Sequence, residues 1–136
     1  NLHSEDVDQA ASFADAQPLL LTTTASLAAL NDRLGEAIGM DRFRTNLVVS
    51  NLIADIEDDW KRVRIGACEL EVSYPCERCV LTTIDPVSLI KHEQQEPLRT
   101  LATYRRLEEG GVGFGVNLIV VRAGPIAIGD TVEVLS

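Results

Sequence analysis

The segment 62–72 constrains the fold most: Val63 and Ile65 alternate with Arg62 and Arg64, and Cys68, Leu70 and Val72 alternate with Glu69 and Glu71. A period of two sends successive side chains to opposite faces of a pleated strand, so each arm has one apolar and one charged face. Gly66-Ala67 between the arms suits a two-residue turn of Gly-X type, which predicts a β-hairpin with Cys68 packed on its apolar face. Near the carboxyl end, Ile126 and Ile128, then Gly129-Asp130, then Val132 and Val134 repeat the pattern and predict a second hairpin.

The remaining segments supply short strands and two or three short helices. Leu19 to Thr23 is an apolar run that turns β-branched and reads as a buried strand. Thr23 or Thr24 then caps a helix carrying Leu27, Leu30 and Leu34, with Gly35 as its stop. The free amides at that helix start, with the Thr24 and Ser26 hydroxyls, form a candidate anion site; simple capping is the alternative. Arg42-Phe43-Arg44-Thr45-Asn46 runs into Leu47-Val48-Val49, a short strand. Strand alternation places Arg42 and Arg44 on one face, where two guanidiniums suit phosphate or simply a solvated surface. Residues 50–59 read as an acidic loop, and Trp60 as a cover for the core edge. Pro97 opens a helix with Leu98, Leu101 and Ala102 on one face. Gly110, Gly111, Gly113 and Gly115 lead into a buried strand over 116–121. Many short strands without βαβ alternation predict a mostly β, barrel-like domain over residues 13–136, and the polar residues 1–12 read as a flexible amino-terminal tail.

A chain of 136 residues buries enough surface to hold a core without staples. Three cysteines, an odd number, and no signal-like amino terminus predict free thiols in a reducing cytoplasm. No apolar run approaches the roughly 20 residues that span a bilayer, so no membrane partner is expected. The net charge of −9 argues against nucleic acid as a partner.

Reactive chemistry concentrates in Pro75-Cys76-Glu77-Arg78-Cys79, followed by Val80 to Ile84, a β-branched run read as strand, and then Asp85-Pro86. A thiolate is a soft metal ligand and a nucleophile, and Arg78 favours the ionised form of Cys79 if its guanidinium lies near that sulfur. Three readings compete: a structural zinc site, for which a second Cys pair is absent; a thioredoxin-like dithiol, which needs a helix after the first Cys; and a single exposed thiolate that binds a metal or accepts sulfur, with arginines holding an anionic ligand. Spacing alone leaves them open.

A set of ordered motifs resembles the MOSC domain, found at the carboxyl end of molybdenum cofactor sulfurases. The motifs are Pro18 to Leu27 with Leu30-Asn31, Arg42 to Val49, Glu57 to Lys61, Pro75 to Cys79 with Thr82 to Pro86, Glu96 to Leu101, Phe114 to Asn117, and Ile128 to Asp130. The branch most resembled is that of the amidoxime reducing components and their bacterial relatives. The resemblance implies a β-barrel that holds molybdenum cofactor, with Cys79 as metal ligand and catalytic residue. It places Arg44, Asn46, Arg78 and Asn117 at contacts to the pterin or its phosphate, with Thr24 and Ser26 at the anion-binding helix start. The implied chemistry is reduction of small N-hydroxylated compounds with electrons from a separate reductase. The alternatives are a sulfur carrier that takes persulfide sulfur from a desulfurase on Cys76 or Cys79, and a non-catalytic binding module. Pyridoxal phosphate, also associated with the family, needs a Schiff-base lysine; Lys61 and Lys91 stand in no evident pocket, so it is not assigned.

The sequence departs from the family pattern at several points. Only a short stretch stands where close relatives carry a further amino-terminal β domain. Thr45 replaces a usual Pro, Asn51 a usual turn Gly, Asp55 stands near a commonly aromatic position, and Val87-Ser88-Leu89 follows Asp85-Pro86 in place of Asp-Thr-Gly, which predicts a different loop.

Overall fold

The computed structural model describes residues 19–136 and, as backbone alone, residues 2–7. Seven strands among these residues close a barrel in the order β1-β3-β2-β6-β5-β4-β7. They are β1 (Leu2–Val7), β2 (Leu19–Thr23), β3 (Leu47–Ser50), β4 (Arg62–Ile65), β5 (Cys68–Arg78), β6 (Val112–Arg122) and β7 (Thr131–Val134). The helices are α1 (Thr24–Leu34) and α2 (Leu98–Tyr104).

The first hairpin forms as the alternation requires. β4 and β5 pair antiparallel with Val63 opposite Leu70 and Ile65 opposite Cys68, and Gly66 takes a positive φ of 56° in the turn. Val63, Ile65, Cys68 and Leu70 are fully buried and join Leu21, Leu47, Val49, Trp60, Val116 and Leu118 in the barrel interior. Burial pushes the Cys68 thiol pKa up, so it is a packing residue. β5 and β6 form the longest ladder of the sheet, with irregularities at Val72/Tyr74 and Pro75/Glu77. Pro75 has no N–H to give to a ladder, and it sits at one of those breaks.

Four expectations need correction. Residues 2–7, read as part of a tail, form a strand that pairs with β3 and β7; the expected domain start at Phe13 lies outside the described residues. The second hairpin does not form: only Thr131–Val134 is strand, and it pairs with β4 and β1. Its predicted first arm, Ile126 to Ile128, directly follows Pro125, which cannot donate to a ladder, and runs into a turn where the Asp130 carboxylate accepts from Ala127 N at 2.8 Å. One βαβ unit is present, because β2 and β3 are parallel neighbours joined through α1. Finally, β6 starts at Val112 and takes in two of the glycines, and Ile119 and Val121 in its second half face solvent. Gly115 is required there: at φ 82° a Cβ would stand 2.8 Å from Leu21 O, the neighbouring strand's carbonyl.

A second apolar cluster lies where the helices meet the sheet. Leu30 of α1, Leu101 of α2, Ile38, Phe43 and Phe114 are buried together, and the Phe43 and Phe114 rings stack at 4.2 Å. Such a pair adds about 0.5–1.5 kcal/mol to its apolar burial, which fixes Phe43 and the residues beside it.

The start of α1 is where the acidic loop returns. Thr23 caps the helix by accepting from Ser26 N, and Gly35 closes it at φ 72°. Ser26 Oγ donates to Glu57 Oε2 at 2.7 Å and accepts from Asp55 N at 2.8 Å, while Glu57 is fully buried. The candidate anion site is therefore filled by the chain's own carboxylate, which meets the positive end of the helix. Asn51 completes the arrangement: its Oδ1 accepts from Ala25 N and its own N donates to Thr24 Oγ1. Beside it, buried Arg105 forks onto Asp58 at 2.6 and 3.2 Å and meets Asp55 at 3.1 Å.

Desolvation raises the Glu57 pKa above the ordinary value, helped by the neighbouring charges of Asp58 and Asp55 and opposed by the Ser26 bond. Between the ordinary and the raised value the folded chain holds a proton that the unfolded chain has lost. This contribution thus favours folding at low pH and is lost as pH rises through the raised value. Glu57→Gln keeps an acceptor for Ser26 and removes the charge. Urea unfolding across pH should show the variant's advantage over wild type largest at neutral pH and shrinking as pH falls toward the ordinary glutamate value; a difference independent of pH would refute the assignment.

Candidate functional site

β5 carries Pro75-Cys76-Glu77-Arg78 to its end, and Cys79 follows in extended conformation. Val80–Thr83 is a single 3-10 turn, where the sequence predicted strand. The reason is local: Thr82 Oγ1 donates to Cys79 O at 2.9 Å and Thr83 Oγ1 to Val80 O at 2.6 Å, so the hydroxyls bend the backbone over despite its β-branched composition. Cys79 is left exposed at the strand end, with Cys76 half-buried and Cys68 buried.

Opposite it lies the segment 40–44. Met40–Phe43 is a 3-10 turn and Arg44 follows in the left-handed region at φ 54°. Arg42 and Arg44 therefore do not share a strand face, as alternation predicted. They reach the same place by another route, because both line a recess of about 270 Å³ with Phe43, Glu77, Arg78, Cys79 and Thr82. A non-glycine residue held at positive φ beside a recess is backbone strain of the kind that accompanies functional sites.

Arg78 spans the two segments. Its Nη2 donates to Phe43 O at 2.6 Å and its Nη1 to Cys76 Sγ at 3.2 Å, with the guanidinium 5.4 Å from the centre of the Phe43 ring. The sulfur it touches is that of Cys76, not that of Cys79. Arg78 Nε is buried without a partner among the described residues.

Arg42 closes the far wall: its Nη1 donates to Thr82 O at 3.4 Å, and its side chain also borders a second cavity of about 470 Å³ with Glu36, Asp85, Lys91 and His92. Lys91 thus does stand at a cavity, whereas Lys61 is exposed. His92 Nε2 lies 3.4 Å from Glu36. The loop that follows Asp85-Pro86 turns on Asp85 itself, whose Oδ1 accepts from Val87 N at 2.8 Å and Ser88 N at 3.1 Å. Hydrogen bonds from Ser88 N and Val87 N, with Arg42 nearby, hold the Asp85 carboxyl below its usual range.

Of the residues singled out by sequence, Cys79, Arg78 and Arg44 are together in the recess. Asn46 stands behind it: Oδ1 accepts from Leu20 N at 2.8 Å, which spends its amide on fixing β2. Asn117 sits on β6 opposite Leu20 and Tyr74, and is not among the residues lining the recess. Thr24 and Ser26 are at the α1 start, bonded to Asn51 and Glu57. Thr45, standing where Pro is usual, accepts from Thr22 Oγ1 at 3.1 Å. Sequence reasoning missed Glu77 and Thr82 as lining residues. Glu77 had a signal in its place between the two cysteines; Thr82 had none, since its role depends on the unforeseen turn.

The MOSC domain profile matches residues 8–133. Among curated proteins, the mitochondrial amidoxime-reducing component 1 of Homo sapiens is 36% identical over 130 residues, covering 90% of this chain and 38% of that protein. That of Mus musculus is 39% identical over 135 residues, covering 94% and 39%. The chain thus spans about two-fifths of the length of these relatives. The crystal structure of YiiM from Geobacillus stearothermophilus superposes with a TM-score of 0.65 at 15% identity, over 100% of this chain and 76% of that one, and shares the fold. With the profile spanning nearly the whole barrel and these relatives above 30% identity, the chain belongs to the MOSC domain family.

Proposed function

We propose that this chain binds molybdenum cofactor and serves as the catalytic module of an oxidoreductase that reduces small N-hydroxylated compounds, with Cys79 as the protein's ligand to the metal. The observation that carries this reading is the exposed Cys79 thiol at a recess whose charged lining is Arg42, Arg44 and Arg78 with the single carboxylate Glu77. The names of the amidoxime-reducing relatives support the substrate class.

The residues fit such a group. Arg78 Nε is a buried donor with no acceptor among the described residues, so an anionic oxygen from a ligand would satisfy it. Among the described residues no three His, Cys, Asp or Glu side chains are grouped so as to hold a metal ion. A metal already held by an organic dithiolene needs only one soft protein donor, and Cys79 is such a donor. When bound, the cofactor supplies two-electron reduction of the N–O bond, with the oxygen leaving as water and the electrons coming from a separate reductase.

This chain's own residues bind and orient. Arg44 and Arg42, which line the recess, would offer planar, permanently charged forks to an anionic pterin phosphate. The stacked Phe43 closes one wall against water. Arg78 anchors the Cys79 strand end to the turn that carries the arginines, so donor and cradle hold one spacing. A second reading, sulfur transfer, is favoured by one contact: Arg78 Nη1 on Cys76 Sγ would stabilise a persulfide anion at that residue.

Two measurements test the reading. Expressed in a host that makes the cofactor, wild type and Cys76→Ser should retain molybdenum through gel filtration, and Cys79→Ser at least tenfold less, the scale on which even outer-shell losses lower metal affinity; equal contents in wild type and Cys79→Ser would sink the assignment. Iodoacetamide should modify Cys79 readily in the empty chain and spare it in the loaded one, while Cys68 reacts only on unfolding. Protection of Cys76 alone would move the ligand to that residue.

A further inference from the structure

Thr82 sits where two walls of the cysteine recess meet. It is 2% exposed and lines the recess with Cys79 and Arg42. The Cys79 carbonyl accepts from Thr82 N at 3.1 Å and from Thr82 Oγ1 at 2.9 Å, so one residue supplies two donors to it. The Thr82 carbonyl in turn accepts from Arg42 Nη1 at 3.4 Å. One buried residue therefore joins the backbone of the thiol to a guanidinium of the cradle.

These bonds limit how the thiol is aimed. A residue has two soft backbone torsions. At Cys79 the amino side is held by the ladder, where Arg78 pairs with Val112, and by the Arg78 grip on Phe43 O. The carbonyl side is held by Thr82, with Cys79 at φ −131° and ψ −173°. With both torsions fixed, the direction of the Cα–Cβ bond is set and χ1 alone remains to turn the sulfur. Thr83 provides an internal comparison. It is fully buried and makes the same kind of bond one residue on, from Oγ1 to Val80 O at 2.6 Å. Its carbonyl, however, accepts from His92 N at 2.8 Å, and it is not among the residues lining the recess. Thr83 thus ties the turn to the loop that follows Asp85-Pro86, whereas Thr82 ties it to the site.

We infer that Thr82 is a positioning residue for Cys79: its hydroxyl fixes the peptide that follows the thiol residue, and its carbonyl holds Arg42 to the same turn. The inference deepens the proposed cofactor binding and rests on it for the identity of the group held. A ligand that meets a thiolate at one point and arginines at others binds well only when these are held at its own spacing, because freedom left in either is lost on binding. Removing the hydroxyl leaves the thiol chemically unchanged and takes away its aim.

The first readout needs no cofactor. In NMR relaxation dispersion of the empty chain, which reports microsecond-to-millisecond exchange, the Cys79 and Val80 amides should be quiet in wild type and Thr82→Ser and show exchange in Thr82→Val. Thr83→Val should lower Tm as much as Thr82→Val does, yet leave those two amides quiet. The second readout is molybdenum retained through gel filtration after expression in a host that makes the cofactor. Thr82→Val should hold about tenfold less than wild type, the lower end of the range for losing an outer-shell partner, with Thr82→Ser and Thr83→Val near wild type. Should Thr82→Val not fold, Thr82→Ala against Thr82→Ser isolates the same hydroxyl. Quiet Cys79 and Val80 amides in Thr82→Val, wild-type molybdenum in that variant, or equal losses in Thr83→Val would overturn the inference. If wild type itself retains no molybdenum, the cofactor reading falls, and the relaxation data alone decide the role of Thr82.

Discussion

The arrangement of the cysteine recess depends on the grip of one guanidinium. Arg78 leaves the end of β5, donates to the carbonyl of Phe43 at 2.6 Å and to the sulfur of Cys76 at 3.2 Å, and rests near the Phe43 ring. Phe43 is itself locked in the cluster formed by Phe114, Leu30 and Leu101. The bond thus ties the end of β5 to a packed part of the core. A hydrogen bond from a charged donor contributes about 1.5–3 kcal/mol, enough to hold two segments 35 residues apart in sequence in one relation. Cys79 inherits its position from that grip, and so does strained Arg44.

Charge is distributed across the site in two zones. The molecule is acidic overall, with 21 acidic against 12 basic residues, yet three arginines converge on the recess. The carboxylates elsewhere are largely employed: Glu57 closes the start of α1, Asp55 and Asp58 hold buried Arg105, and Asp85 organises its own loop. The Glu77 carboxylate, which borders both the recess and an acidic cavity lined by Glu108 and Glu109, makes no hydrogen bond or ion pair with any described residue.

Much of the barrel was legible because its signals are short-range. The hairpin over 62–72 alternates cleanly around a glycine turn, and α1 carries both its cap and its stop within a dozen residues. The strand predicted over 80–84 failed because β-branched composition says nothing of hydroxyls that bond back three residues. The candidate anion site at α1 failed because its occupant, Glu57, lies 31 residues away and looks like one more charge in an acidic loop. Cys79, Arg78 and Arg44 stood out both for their chemistry and for their family motifs, and all three line the recess, while the Asn46 amide accepts from Leu20 N of β2. The contact of Arg78 with Cys76 rather than Cys79 was beyond sequence, since it depends on which way the strand end twists.

The central claim is that Cys79, and no other thiol, completes the coordination of a molybdenum cofactor seated among the arginines. X-ray absorption at the molybdenum edge of the loaded chain tests it most directly. The account predicts one sulfur neighbour beyond those of the cofactor itself, unchanged in Cys76→Ser. A spectrum with no additional sulfur, or one whose additional sulfur disappears in Cys76→Ser, would contradict it.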